Sequence, residues 1–413
     1  MTKSKESAAR DTRVSAQTEH PVVAVSSRGA ARLRAGHLWV YRSDLEKGSD
    51  AAAGALVHVR DERGRKLGSA LYSSASQIAI RMLSADEISE RDLPGLIAER
   101  IEAAVKFRET VAHHTDSYRV LFSEADLLPG LIVDKYNDVL SMQVLTQAFD
   151  RDDLRQVIID SLSRHFPQAS LLERVDARIR ELEQLPARET QLIQGERSST
   201  IFTVNGVRFH YDGLSGQKTG AFLDQRENYA AAARWAHGEA LDCFSYQGGF
   251  ALHLARVCTS VTALDISRAV LEVAEQNEAL NQPEHRCGEM EWIEANAFDL
   301  LKDYATAGRQ YDTIVLDPPA FAKTKRAVST ALTGYKELNL RALKMLRPGG
   351  TLVTCSCSFH VSEAEFLEML SFAAADTGRR IRILEKRGAA LDHPVLLNVP
   401  ETAYLKCIIC RAL

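Results

Sequence analysis

No stretch of this chain approaches the ~18 consecutive apolar residues that a membrane-spanning helix requires, so no such helix is expected. The opening MTKSKESAARDTRVSAQTEH lacks the apolar centre of a secretory signal and matches a transit peptide only faintly. It reads as a solvated tail. Seven cysteines, an odd number without framework spacing, speak against a disulfide-stapled fold and for a reducing compartment, with the cytoplasm as default. Positive charge is not in excess either. The formal net charge is −4, so the whole chain does not announce a nucleic-acid binder, although basic residues can gather on one face. Internal repeats and low-complexity tracts are absent.

What is present is a chain of 413 residues, 45% hydrophobic and 26% charged, long enough for two or three globular domains. After a tail over residues 1–20, residues 21–87 carry short strands at close spacing. Among them is a hairpin with strands at Ala55–Arg60 and Lys66–Tyr72, so a small β-barrel is expected. Arg28, Arg32, Arg34, Arg42, Arg60, Arg63, Arg65, Lys66 and Arg81 make this block locally basic, interleaved with His37, Trp39 and Tyr41. That pattern fits either a solvated surface or an RNA contact with stacking aromatics. Residues 88–213 read as helix, two strands, helix and further strands, LLERVDAR among them, which predicts a small α+β domain. Residues 214–413 alternate strands and helices, then end in RIRILEKR and AYLKCIICRAL with no helix between. A largely parallel sheet with an antiparallel closing pair follows.

The chemistry-bearing residues fall at the ends of the strands in this last block. LDCFSYQGGF puts glycines at a strand-to-helix turn, where backbone can approach a ligand. The turn is not GxGxxG and has no Walker lysine, which counts against dinucleotides and nucleoside triphosphates. Asp265 closes the next strand, where a carboxylate can accept both ribose hydroxyls. An adenosyl cofactor without pyrophosphate fits both. Asn296 follows the third strand, placed either to read an adenine edge or to make an ordinary turn. Asp317-Pro318-Pro319-Ala320-Phe321 closes the fourth in a rigid turn, suited to a planar base with the carboxylate on its polar edge and Phe321 on its face. Cys355 and Cys357 share one face of the fifth strand, with Cys357 nearer its functional end. A nucleophile, core packing and a zinc ligand are the three readings. The CxxC at Cys407 and Cys410 lies in an apparent strand, where positions three apart face opposite sides, and argues against zinc.

These residues resemble the bacterial class I S-adenosylmethionine-dependent ribosomal RNA large-subunit methyltransferases, in the branch that makes 5-methylcytosine in 23S rRNA. The resemblance covers nearly everything from Pro21 onward. It rests on EADLLPGLIVDKY, GQKTGAFLDQREN, FSYQGGF, LDIS, LDPPAFAK, GYKELN, SCS and DHPV. It implies a multidomain α/β chain: an N-terminal PUA-like β-barrel, a central α+β domain and a C-terminal Rossmann-like methyltransferase sheet. It also implies S-adenosylmethionine bound by Phe222, Arg226, Asp242, Phe244, Tyr246, Gly248, Asp265, Asn296 and Asp317, and Cys357 as nucleophile. Asn296 departs from a common Asp, and Ala320 from a frequent Lys.

The expected reaction is methylation of cytosine C5 through a covalent bond from Cys357 to C6, with Asp317 on the N3/N4 edge. Pro318, Pro319 and Phe321 would contact the base. The implied partner is 23S rRNA or its large-subunit precursor, with no metal and no membrane, and with a homodimer left open. The rivals are a guanine-nitrogen rRNA methyltransferase on the same fold, a non-catalytic RNA-binding or assembly factor, and a methyltransferase acting on a small molecule or protein. The basic β-barrel disfavours the last.

Overall fold

The computed structural model describes residues 20–46, 51–214, 221–282 and 289–413. Almost all of the expected tail, and residues 216–220 of the GQKTGAFLDQREN stretch, lie outside the described residues. In the first block, β1 (Val22–Val25), α1 (Ser27–Arg34), β2 (Trp39–Tyr41), β3 (Leu56–Asp61), β4 (Lys66–Tyr72) and β5 (Ile78–Ser84) form a five-stranded sheet in the order β1-β3-β4-β5-β2. The expected hairpin is the antiparallel β3–β4 pair. The helix α1 was not anticipated from the residue pattern. It starts because the Ser26 hydroxyl accepts the Gly29 N–H as an N-cap.

In the second block, α2 (Leu93–Val111), β6 (Ser117–Phe122), β7 (Leu131–Tyr136), β8 (Val139–Val144), α3 (Asp152–His165), β9 (Ser170–Glu173), α4 (Ala177–Leu182) and β10 (Gln191–Gln194) follow in order. Helices α2 and α3 bury Ile97, Ile101, Ile158 and Leu162 against the sheet β10-β9-β8-β7-β6. LLERVDAR is not one strand: β9 stops at Glu173, and Asp176 starts α4 by accepting the Ile179 N–H. A carboxylate that can cap a helix competes with the sheet ladder for the backbone there. The hairpin β11 (Ser199–Val204) and β12 (Val207–Asp212) stands apart as a two-stranded sheet. Its Phe202, Phe209 and Tyr211 pack into the core of the third block.

The third block opens with α5 (Arg226–Trp235) and continues through β13 (Glu239–Cys243), α6 (Gly249–Leu254), β14 (Ser260–Asp265), α7 (Arg268–Asn281), β15 (Glu289–Glu294), α8 (Ala297–Thr306), β16 (Tyr311–Leu316), α9 (Val328–Met345), β17 (Leu346–Ser356), α10 (Glu363–Asp376), β18 (Ile381–Arg387) and β19 (Lys406–Ala412). The sheet order is β15-β14-β13-β16-β17-β19-β18, parallel as far as β17 and closed by antiparallel β19 and β18. Period two sorts its side chains. Leu241, Cys243, Ile314, Leu316, Leu352, Ile408 and Cys410 face one core, and Ala240, Val315, Val353, Cys355, Cys407 and Ile409 face the other. Cys407 and Cys410 therefore point to opposite faces. Strand order reverses beside β13, and that crevice, beyond the carboxyl ends of the strands, is where such sheets take ligands.

One buried ionic cluster fastens the second block to the third. Asp392, fully buried, accepts the Arg119 N–H at 2.9 Å and the Arg226 guanidinium at 3.2 Å. Arg226 also donates to the carbonyl of His113, and Arg108 donates to the carbonyl of Asp392 while pairing with Asp126. Burial works to raise the Asp392 pKa. His393, Arg226 and the Arg119 N–H outweigh it and hold the carboxyl well below the usual range. We expect Asp392→Ala to cost about 3–5 kcal/mol in urea unfolding, because it removes the one fully buried carboxylate facing Arg226 and leaves only the more distant, part-exposed Glu227. A depressed folded-state pKa means that the Asp392 contribution is full above about pH 4 and is lost as pH falls further. The gap between wild type and variant should narrow on acidification below that point.

Candidate active site

Four strand ends and one short turn converge on the crevice. The turn after β13 is held in an unusual backbone. Phe244 and Tyr246 take φ of 66° and 51°, and Gly248, at 87°, caps α6. A side chain at Gly248 would also meet the Trp292 ring at 2.9 Å. Asp242 supports this turn from below. Its Oδ2 accepts from the Ser245 hydroxyl and the Ala251 N–H, both at 2.9 Å. Its Oδ1 is buried and has no partner. Burial, with a contribution from the Asp265 charge, pushes its pKa up to about 7. Thus Asp242 lies beneath the loop and acts through it.

Asp265 ends β14 half-buried. Its two oxygens accept the N–H groups of Tyr246 at 3.1 Å and Ser267 at 3.0 Å, which fixes the carboxylate while leaving further lone pairs free. Next to it Ile266 is 68% exposed, an apolar surface beside the Asp265 carboxylate that the residue pattern did not single out. The Phe222 and Tyr246 rings pack at a tilt, with centroids 4.9 Å apart, and border a cleft that also reaches Arg226. Arg226 is 2% exposed, and its guanidinium points into the Asp392 cluster, leaving only Nε unpartnered. Asn296 is the N-cap of α8. Its side-chain oxygen accepts the Phe298 N–H at 2.9 Å, so one lone pair of the expected adenine reader already serves the helix.

The other side of the crevice holds Asp317 and Cys357. Asp317, one residue past β16, accepts from the Gln225 amide at 2.9 Å. Burial, then the Asp224 and Asp242 charges, raise its pKa to about 8. Cys357 is not on the strand as expected, because β17 ends at Ser356. Its half-buried Sγ lies 3.9 Å from the Pro318 carbonyl. Cys355 is fully buried opposite Cys407 and packs the core. The Cys357 thiol is pushed up to about 12 by burial and by Asp317 and Asp224, against the opposing charge of Lys406. Lys406 is itself buried and lowered to about 8; its ammonium donates to the carbonyls of Ser358 at 2.6 Å and Tyr404 at 2.9 Å. Phe321 packs on Tyr335, 4.7 Å between centroids, and on Phe298, so much of its ring belongs to the wall of the site.

Three residues missed by motif reading stand here. Asp224 is held by the Tyr404 hydroxyl at 2.5 Å, Gln225 orients Asp317, and Lys406 is the cation near the thiol. The signal for the first two was in LDQR, inside a motif already quoted. Lys406 gave none, being one lysine in an apolar strand.

Comparison with known proteins agrees with this geometry. Residues 23–85 match the family described as PUA-like domain, and residues 177–410 match S-adenosylmethionine-dependent methyltransferase. "Ribosomal RNA large subunit methyltransferase I" of Yersinia pestis bv. Antiqua (strain Angola) is 34% identical over 384 residues, covering 91% of this chain and 96% of that protein. The protein of that name from Yersinia pseudotuberculosis serotype O:1b is also 34% identical, over 382 residues. The crystal structure of SMU.776 complexed with SAH superposes with a TM-score of 0.81 at 18% identity, over 95% of this chain and 100% of that one. It shares the fold.

The residues fit S-adenosylmethionine. Asp265 can take the ribose hydroxyls, and Ile266 offers an apolar face beside it. The crowd of Asp224, Asp242, Asp265 and Asp317 favours a cationic ligand over a phosphate. We expect Asp265→Ala to weaken S-adenosylhomocysteine binding roughly tenfold or more by calorimetry, for lost hydrogen bonds to a charged group. The raised Asp242 carboxyl ionises around pH 7, and a cation favours the ionised form. The affinity of cationic S-adenosylmethionine relative to neutral-sulfur S-adenosylhomocysteine should therefore rise from pH 6 to pH 8.5.

Proposed function

The chain belongs to the S-adenosylmethionine-dependent methyltransferase family, and we propose that it methylates carbon 5 of a cytosine in 23S ribosomal RNA. The single observation that carries this reading is the thiol of Cys357 beside the buried Asp317 carboxyl, whose pKa burial raises to about 8. That pair is what cytosine C5 chemistry needs and what a guanine nitrogen does not. The relatives that match over nearly their whole length are named for large-subunit rRNA, and the PUA-like domain suits an RNA substrate. A cytoplasmic enzyme acting on that RNA or its precursor is the corresponding cellular reading.

S-adenosylmethionine, when bound, supplies an electrophilic methyl group. The protein must make C5 nucleophilic. Cys357 adds through Sγ to C6 of the flipped-out base, which places electron density on C5 and negative charge toward N3. Asp317, protonated below about pH 8, donates to N3 through the oxygen that Gln225 does not occupy and accepts from the N4 amine. Once C5 carries the methyl group, loss of its proton to a base returns the electron pair and expels the Cys357 thiolate. Asp224 is the nearby carboxylate left for that proton. Lys406 offsets the thiolate charge.

The resting thiol, raised to about 12, is the observation that favours the rival guanine-nitrogen reading, in which Cys357 would only pack. Nucleoside mass spectrometry with labelled methyl donor separates them. 5-Methylcytidine is expected from wild type, a drop on the order of 10³-fold from Cys357→Ala with cofactor binding intact, and a covalent adduct with 5-fluorocytidine RNA. Methylguanosine would sink the cytosine reading.

The pH profile follows from the same two groups. Below about 12 the thiolate fraction gains tenfold per pH unit, and above about 8 the protonated Asp317 fraction loses tenfold. Single-turnover rates should climb with unit slope from pH 6 to about 8 and then level. Asp317→Asn should be slower but should keep climbing past 8.

A further inference from the structure

The cations that look most like an RNA-binding face in the residue pattern are mostly engaged within the protein. In the first block Arg28 and Arg32 share Asp44, Arg34 and Arg65 share Asp61, and Arg60 and Lys66 share Glu87. Arg42 donates to the carbonyls of Ser73 and Ser76, and Arg81 pairs with Glu183. The aromatics are engaged as well. The Trp39 indole donates to Glu124, and the Tyr41 ring lies under Arg32. A different surface has the opposite character. Directly after the DPP turn, Lys323, Lys325 and Arg326 are all exposed, and none makes an ion pair or side-chain hydrogen bond among the described residues. Lys325 is near enough to Glu365 to lower its pKa without pairing with it.

Beside these cations stands an aromatic pair. Phe359 is 38% exposed, with its ring 5.2 Å from that of His360 in an edge-on arrangement, two residues beyond Cys357. The two segments are laced together at the crevice. The Ser358 hydroxyl accepts the Ala322 N–H at 3.1 Å and shares a hydrogen bond with the Tyr335 hydroxyl. Three free cations and an exposed ring at the mouth of a base pocket match how single-stranded RNA is held, with phosphates on cations and a base on an aromatic face. They also supply downstream the charge that Ala320 withholds from the DPP turn.

We propose that residues 323–326 together with Phe359 form a subsite for the RNA strand flanking the target nucleotide, with the cations on its backbone and Phe359 under a neighbouring base. The proposal rests on the reading of the protein as an RNA methyltransferase. The test is filter binding of in vitro transcribed 23S rRNA to the full chain from 50 to 300 mM KCl. In K323Q/K325Q/R326Q the slope of log affinity against log salt should fall by about 2 for three lost phosphate contacts. F359A should bind roughly tenfold more weakly with its slope unchanged. S-adenosylhomocysteine affinity should match wild type in both.

The comparison variant R28Q/R65Q/K66Q, whose cations are paired, should change the slope less. If it takes the slope and the 323–326 variant does not, the subsite is wrong. A wild type that forms 5-methylcytidine while the triple variant binds as wild type removes the subsite alone. A wild type whose slope depends on these residues but that labels another base removes the cytosine reading and keeps the subsite. A wild type with no salt-dependent binding removes both.

Discussion

Three consecutive side chains, Asp224, Gln225 and Arg226, carry the load of the active site. They stand where a short turn enters α5, and each reaches a different wall. Arg226 runs into the buried Asp392 cluster and so fastens the helix to the second block. With that residue fixed, Gln225 is delivered to Asp317 and Asp224 to the Tyr404 hydroxyl. The cluster survives burial because every carboxylate oxygen of Asp392 has a donor, two of them charged or backbone groups that cannot drift. Without it the turn would have no reason to hold its register, and Asp317 would lose its orienting amide.

The second constraint is electrostatic crowding. The strand ends gather carboxylates in a space partly closed to water, and burial and mutual repulsion move Asp242 and Asp317 up toward neutrality. A site of this kind repels phosphates and receives a cation well. The same crowding makes the thiol hard to ionise at rest, with Lys406 as the opposing charge. A thiol held protonated in this way is protected from oxidation and stray alkylation. The backbone contributes as well, since Phe244 and Tyr246 hold left-handed conformations at the turn nearest the ligand.

Charge on the outside follows a similar logic of partners. The first block is rich in arginine, but its acids are placed so that pairs of cations converge on single carboxylates. Composition alone left that block open as either a solvated surface or an RNA contact. Position makes the loop after the DPP turn the better one, because its cations pair with no acid among the described residues.

The sequence by itself determined the strand-and-helix alternation, the hairpin at β3–β4, the antiparallel closing strands and the acids at the strand ends. These depend on period-two burial and turn chemistry, which are local and survive in the order of residues. The family was legible for the same reason, since its motifs sit in those turns. The helix α1 and the break between β9 and α4 were lost because a capping serine or aspartate decides them against the surrounding pattern. Only the tertiary structure decided that Asp242 works from beneath its loop, that Asn296 caps a helix, and that Cys357 lies beyond its strand. It alone placed Gln225 on Asp317, 92 residues away, Arg226 on Asp392, 166 away, and Tyr404 on Asp224, 180 away. Protonation states and hydrogen-bond partners belong to groups brought together by packing, and no local pattern encodes a neighbour at that distance.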